Sequence, residues 1–90
     1  MAKIEIYTSP FCGYCHRAKD LMQDKQVEYT EFNVLGSESR WNEMVERAGG
    51  ARTVPQIFID GRHIGGCDEL YALGAKGGLD RLLAAEPSTL

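Results

Sequence analysis

The sequence lacks the features of two large classes of protein. Its ten lysines and arginines are outnumbered by thirteen aspartates and glutamates, giving a formal net charge of -3. A protein that grips a nucleic-acid backbone normally has a basic face, so no nucleic-acid partner is expected. No apolar run reaches the roughly 18 residues needed to cross a bilayer, and the start MAKIEIYTSP lacks the hydrophobic segment of a signal peptide. We therefore expect no membrane association and a cytoplasmic location.

Cysteine is scarce, and its count is odd. Cys12 and Cys15 form a Cys-x-x-Cys pair, whereas Cys67 stands alone. A disulfide scaffold normally uses an even number, and in a reducing compartment such a pair indicates redox chemistry or a metal rather than a structural bridge. A zinc site completed by Cys67, His16 or His63 is the metal alternative. Zinc modules usually repeat the pair or add two spaced histidines, so no metal ligands are predicted.

Length and composition predict a single domain over residues 1–85. The chain has 90 residues, of which 43% are hydrophobic and 26% charged. Proteins usually contain one domain for about every 100 to 200 residues, so the chain is too short for two. No internal repeat or low-complexity segment interrupts it. The last residues, 86–90 (EPSTL), are expected to form a flexible tail.

The first half of the chain predicts two parallel strands joined by a helix. KIEIYT (3–8) alternates as a strand with one face more buried than the other. Apolar residues at helical spacing from Gly13 onward predict a helix that opens at the cysteines. VEYTEFNV (27–34) alternates again, and a helical crossover makes it parallel to the first strand.

The second half predicts a helix, a hairpin and a final helix. GSESRWNEMVERAGG (36–50) has Ser37 or Ser39 as a possible cap and two glycines at its end. VPQIFIDGRHIGG (54–66) contains an Asp-Gly dipeptide suited to a two-residue hairpin turn. Residues 67–85 are predicted to form a helix that is broken near Gly74 and Gly77. The predicted fold is α/β, with a four-stranded mixed sheet in the order β-α-β-α-β-β-α and helices covering it.

The two paired cysteines differ in their position relative to the helix start. Cys12 precedes the helix, where unsatisfied N–H groups and the helix dipole favour a thiolate. Cys15 lies within the first turn and leans toward the core. We therefore predict that Cys12 is the nucleophile and Cys15 the resolving thiol, about one helical turn apart and able to form a reversible disulfide. His16 and Arg17 could help to hold Cys12 ionised.

Three motifs recur in the order and spacing of one family: CGYC (12–15), TVPQIFID (53–60) and GGCDEL (65–70). With them the chain resembles the glutaredoxins, a thioredoxin-fold family, and in particular the small bacterial dithiol members. The resemblance spans nearly the whole chain. It implies a monomeric thiol-disulfide oxidoreductase that uses glutathione as cosubstrate to reduce protein disulfides and glutathionylated proteins. A glutathione-independent, thioredoxin-like reductase would leave GGCDEL without a ligand.

The resemblance also implies a set of glutathione-binding residues. It makes Pro55 a cis proline that places the Val54 backbone opposite Cys12, and it puts the γ-glutamyl end of glutathione against Cys67 and Asp68. The implied ligand-binding residues are Tyr14, Thr53, Val54, Pro55, Gly66, Cys67 and Asp68. The simpler interpretations are a trans proline that begins a strand, an aspartate that only caps the last helix and a tyrosine that is a surface aromatic. The Cys67 thiol is expected to be passive, with its backbone making the contact.

Two departures from the family pattern affect these expectations. Residues 9–11 (Ser-Pro-Phe) contain no basic residue to meet the glycine carboxylate of glutathione, so Arg40, Arg52 or Lys19 would have to replace it. Gly13 occupies the position where the family most often has proline. Some members without that proline share a [2Fe-2S] cluster across a dimer, with the first cysteine and glutathione as ligands. An iron-sulfur carrier is therefore the alternative function.

Overall fold

A computed structural model describes residues 3–84, so the predicted tail at 86–90 lies outside the described residues. The elements are β1 (Ile4–Thr8), α1 (Gly13–Asp24), β2 (Thr30–Asn33), α2 (Glu38–Arg47), β3 (Gln56–Ile59), β4 (Arg62–Gly65), α3 (Cys67–Ala75) and α4 (Gly78–Ala84). This order confirms the predicted mixed sheet with flanking helices. The final helix is divided in two: α3 continues past Gly74, and Gly77, at φ 79°, separates it from α4.

The strand directions bring three chain segments to one edge of the sheet. The sheet order is β2-β1-β3-β4, with β1 parallel to β2 and β3 antiparallel to both β1 and β4. The end of β1, the start of β3 and the end of β4 therefore lie at the same edge. The β3–β4 turn is the predicted hairpin, with Asp60 and Gly61 at φ 53° and 79°. The residues that follow β1, precede β3 and follow β4 can consequently form one site.

Helices cover both faces of the sheet. On one face α1, α3 and α4 enclose a core made of Ile4, Ile6, Ala18, Met22, Ile57, Ile59, Leu70, Leu79 and Leu83. On the other face α2 contributes to a second core made of Tyr7, Val34, Met44, Ala48 and Phe58. The prediction that β1 has one less buried face is wrong, because all five of its residues are buried. The charge of Glu5 is balanced there by Arg47, whose Nη2 lies 2.9 Å from Glu5 Oε1.

Two predicted boundaries shift for local reasons. β2 begins at Thr30 instead of residue 27, because Gln26 adopts φ 58° and the Val27 N–H turns back to donate to Met22 O at 3.3 Å. Ser37, rather than Ser39, caps α2 by accepting the Arg40 N–H at 3.2 Å. None of the helices within residues 3–84 has the length and apolar character that spanning a membrane requires.

Candidate active site

A cleft of about 370 Å³ opens at the sheet edge where the three segments meet. It is lined by Tyr14 from α1, by the segment before β3 and by the start of α3. The lining residues are Tyr14, Thr53, Val54, Pro55, Gly66, Cys67, Asp68 and Glu69. The fold thus brings all of the residues expected to bind glutathione into one cleft, together with Glu69, which sequence reasoning missed.

Cys12 caps the helix that carries the cysteine pair. It has extended backbone geometry, with φ -113°, and its partly exposed sulfur accepts the Cys15 N–H at 3.1 Å. Its Sγ also lies 3.6 Å from Val54 O, in the lining of the cleft. The sulfur therefore lies at the start of α1, where it accepts one of the free N–H groups of the first turn. It is also next to Val54, one of the residues that line the cleft.

Cys15 lies one turn further along and has no exposed surface. Burial, followed by the hydrogen bond with Cys12, raises the pKa of Cys15 to about 12. Desolvation disfavours the charged form of a buried thiol, so Cys15 rests as a neutral thiol. The two cysteines therefore differ in access, since Cys12 is partly exposed and Cys15 is buried.

The segment before β3 is held by a side chain that sequence reasoning did not single out. The Val54–Pro55 peptide bond is cis, as the resemblance implied. Gln56 is buried, and its Nε2 donates to Thr53 O at 3.0 Å and to Thr53 Oγ1 at 3.2 Å. Its Oε1 meets His63 Nε2 at 2.7 Å across the β3–β4 hairpin. Gln56 thus ties one wall of the cleft to the sheet.

The opposite wall is the start of α3. Gly66 is the N-cap residue, so Asp68 is the second residue of the helix and not its cap. Glu69 Oε1 accepts the Gly66 N–H at 2.7 Å. Gly65 has φ 123°, and a Cβ there would lie 2.9 Å from Glu69 Cγ, so this turn requires glycine. The spacing of Gly66 and Glu69 matches that of a capping box and was a usable signal for Glu69.

Cys67 is buried at the same helix start, and its burial raises the pKa of its thiol. A neutral, buried thiol behaves as a small apolar side chain. This environment agrees with the passive role expected for the Cys67 sulfur.

The three candidate partners for the glycine carboxylate differ in their existing contacts. Lys19 Nζ lies 3.0 Å from Glu31 Oε2. Arg40 Nη1 lies 3.1 Å from Glu43 Oε2, and its guanidinium is stacked 4.4 Å from the Phe32 ring centroid. Arg52 directly precedes Thr53 of the cleft lining, and it is exposed. Its guanidinium lies 5.9 Å from the Trp41 ring centroid. Arg52 is therefore the candidate next to the cleft.

The other polar residues beside the cysteines lie outside the cleft lining. His16 and Arg17 are exposed, and the Arg17 guanidinium lies 5.6 Å from the Tyr71 ring centroid. Within residues 3–84, no group of three or more histidine, cysteine, aspartate or glutamate side chains is placed to hold a metal ion. The zinc alternative for the cysteine pair therefore finds no ligand set in this part of the chain.

Known proteins resemble this chain in sequence and in structure. The sequence model of the glutaredoxin family matches residues 4–64. Glutaredoxin 3 of Escherichia coli (strain K12) is 57% identical over 83 residues, which cover 92% of this chain and 99% of that protein. The solution structure of glutaredoxin from Brucella melitensis is 48% identical, with a TM-score of 0.80 over 92% of this chain and 89% of that one. The buckwheat glutaredoxin-glutathione complex is 29% identical, with a TM-score of 0.82 over 91% and 76%.

Proposed function

The chain belongs to the glutaredoxin family, and from this premise we propose that it is a glutathione-dependent thiol-disulfide oxidoreductase. In this proposal a monomer reduces glutathionylated proteins and protein disulfides, with Cys12 as nucleophile and Cys15 as resolving thiol. One observation carries the proposal: Cys12 Sγ, at the start of α1, lies 3.6 Å from the carbonyl oxygen of Val54, which lines the cleft formed by the residues expected to bind glutathione.

The monothiol route uses only Cys12. Its thiolate attacks the glutathione sulfur of a glutathionylated protein, the new S–S bond forms as the old one breaks, and the protein sulfur leaves as a thiolate. A second glutathione thiolate then attacks the sulfur of the glutathione bound to Cys12. Oxidised glutathione leaves, and the Cys12 thiolate is regenerated.

The cleft supplies groups that match a tripeptide with charged ends. The first N–H groups of an α-helix have no partner within the helix, so the start of α3 favours a carboxylate. Asp68 is exposed beside it and is suited to an ammonium group. An α-carboxylate and an α-ammonium occur together at the γ-glutamyl end of glutathione. The Val54 backbone is suited to strand-like pairing with the extended ligand.

The dithiol route requires Cys15. When the substrate is a protein with an internal disulfide, attack by Cys12 leaves that protein attached through a mixed disulfide. Cys15, one helical turn away, attacks Cys12 Sγ and releases the reduced protein. The resulting Cys12–Cys15 disulfide is then reduced by two molecules of glutathione.

Cysteine variants test both routes. With glutathione and glutathione reductase as the electron supply, we expect Cys12→Ser to abolish turnover of a glutathionylated peptide and of a protein with an internal disulfide. Cys15→Ser should retain the first activity and lose the second. Replacing glutathione and its reductase by thioredoxin reductase is the control for a glutathione-independent enzyme. Substantial activity of Cys12→Ser would overturn the assignment.

The second candidate function is a [2Fe-2S] carrier, and it is motivated by Gly13, which stands where the family most often has proline. Packing does not require glycine at this position, because an added Cβ would meet no atom within 4 Å. Cys12 would be the protein ligand, with glutathione in the cleft as the other and a second copy completing the set; thiolate ligation of such clusters is common. Anaerobic purification with iron, sulfide and glutathione tests this function. A visible absorption band with dimerisation supports the carrier, and a colourless monomer excludes it.

A further inference from the structure

A hydrogen-bonded group that includes Lys19, one helical turn after Cys15, lies outside the cleft lining. Lys19 Nζ lies 3.0 Å from Glu31 Oε2, and the Thr8 hydroxyl donates to the same oxygen at 2.6 Å. Thr8, at the end of β1, is 1% exposed. We refer to Lys19, Glu31 and Thr8 as the Lys19 group. Because a buried hydroxyl fixes the carboxylate, the carboxylate in turn holds the lysine ammonium in place.

The spacing of residues along α1 relates Lys19 to Cys15. Lys19 is four residues after Cys15, so their side chains are neighbours on one face of the helix. Helical side chains lean toward the helix N-terminus, which directs Lys19 back over Cys15. Burial and then the hydrogen bond with Cys12 raise the pKa of Cys15; a backbone hydrogen bond with Ser9 lowers it, and the Lys19 ammonium lowers it to a smaller extent.

We propose that Lys19, held by Glu31 and Thr8, is a positioning residue for the dithiol route that stabilises the Cys15 thiolate when Cys15 resolves a mixed disulfide. In that step the Cys15 proton passes to solvent and a bond forms between the two cysteine sulfurs. The bond from Cys12 to the substrate sulfur breaks, and the substrate leaves as a thiolate. The inference rests on the proposed function, since it concerns the second half of the same reaction.

The proposal separates the two substrate classes. Glutathionylated substrates are resolved by external glutathione, so Cys15 need not ionise and the Lys19 charge has no thiolate to stabilise. Protein disulfides require a Cys15 thiolate. An opposite charge nearby favours the ionised form of a thiol. Removing the Lys19 charge therefore lowers the Cys15 thiolate population.

The experiment compares Lys19→Met with two partner variants. Lys19→Arg keeps the charge. Lys25→Met removes a lysine of similar burial near the end of the same helix, whose Nζ lies 2.7 Å from Asp80 Oδ1. Each protein is assayed with a glutathionylated peptide and with a protein that contains an internal disulfide, and thermal unfolding checks that each is folded. We expect Lys19→Met to lower the ratio of the dithiol rate to the monothiol rate severalfold, because a smaller thiolate population is partly offset by its higher nucleophilicity. Lys19→Arg should restore that ratio, and Lys25→Met should leave it unchanged.

Other outcomes overturn the proposal. An unchanged ratio for Lys19→Met refutes it, and so does a ratio that Lys19→Arg fails to restore. A raised KM for the glutathionylated peptide, with the ratio of the maximal rates unchanged, places Lys19 at the glycine carboxylate instead and also refutes it. If Lys19→Met does not fold, Lys19→Gln takes its place under the same criteria. Failure of the proposed function is recognised separately, because the unmodified protein would then turn over neither substrate.

Discussion

Gln56 is the buried support of the Thr53–Pro55 wall, and replacing it tests whether that support is needed for glutathione binding. The residue is 4% exposed, and its Nε2 donates to Thr53 O at 3.0 Å and to Thr53 Oγ1 at 3.2 Å. Gln56→Leu keeps a side chain of similar size but removes both bonds and the 2.7 Å contact to His63. The substitution therefore frees the wall without adding charge.

The magnitude follows from the bonds that are lost. Each hydrogen bond contributes about 0.5–1.5 kcal/mol net, so the two bonds to Thr53 hold the wall by about 1–3 kcal/mol. If about 1.4 kcal/mol of this must be supplied by the ligand, affinity falls tenfold. We expect the KM for a glutathionylated peptide to rise about tenfold. The kcat should stay close to that of the unmodified protein, because Gln56 touches neither sulfur and the lost interaction serves ground state and transition state alike.

Steady-state kinetics of the glutathione-dependent reaction measure both constants, and thermal unfolding reports the stability of each variant. His63→Ala is the matched control, because it removes the contact to Gln56 Oε1 and the packing of the His63 ring against Phe58 but leaves both bonds to Thr53. We expect it to change KM much less than Gln56→Leu does. An unchanged KM in folded Gln56→Leu refutes the reasoning, as does an equal rise in KM for the two variants.

Two further predictions concern charged side chains. Arg52→Ala should raise the KM for glutathionylated substrate more than Arg40→Ala, because Arg52 adjoins the cleft whereas Arg40 is paired and stacked; equal KM values for the two variants would contradict this. The hydrogen bonds from Thr8 and Lys19 hold the pKa of Glu31 below its usual range, so its contribution to stability is present above about pH 4.3 and lost as pH falls through the lowered pKa. Glu31→Gln should therefore weaken the acid dependence of the unfolding free energy, measured by denaturant titration across pH; an unaltered dependence would contradict it.

Local signals in the sequence distinguish the two cysteines and predict the hairpin turn, whereas the residues of the cleft were expected from the resemblance to the family. The position of CGYC at a helix start separates Cys12 from Cys15 through effects that act within one turn. The Asp60-Gly61 dipeptide specifies the β3–β4 turn, because it tolerates the positive φ values of 53° and 79° that the turn adopts. Such features depend on neighbouring residues in the chain and can therefore be predicted without knowledge of the tertiary structure.

Features that depend on contacts between residues far apart in the sequence were not predicted. Glu5 alternates with isoleucines and indicated a less buried face, yet Arg47 of α2 lies over that face and pairs with its carboxylate. The contact between Gln56 and His63 forms across a hairpin whose register shifts between Ile57 and Phe58. No pattern in the sequence specifies that shift. The error on β1 thus arises where side chains from separate elements meet, whereas the late start of β2 has a local cause in the backbone of Gln26.

The environments of the two thiols also bear on the order of the two steps in the proposed reaction. The charge of Cys12 and its hydrogen bond with Cys15 both raise the pKa of Cys15, in addition to the larger effect of burial. When Cys12 forms a mixed disulfide, it no longer carries a thiolate, so that charge is removed at the moment when Cys15 is needed. Burial still opposes ionisation, and Lys19 acts against it. Cys15 is therefore kept protonated before Cys12 has reacted and becomes easier to ionise afterwards, which places attack by Cys12 first and release by Cys15 second.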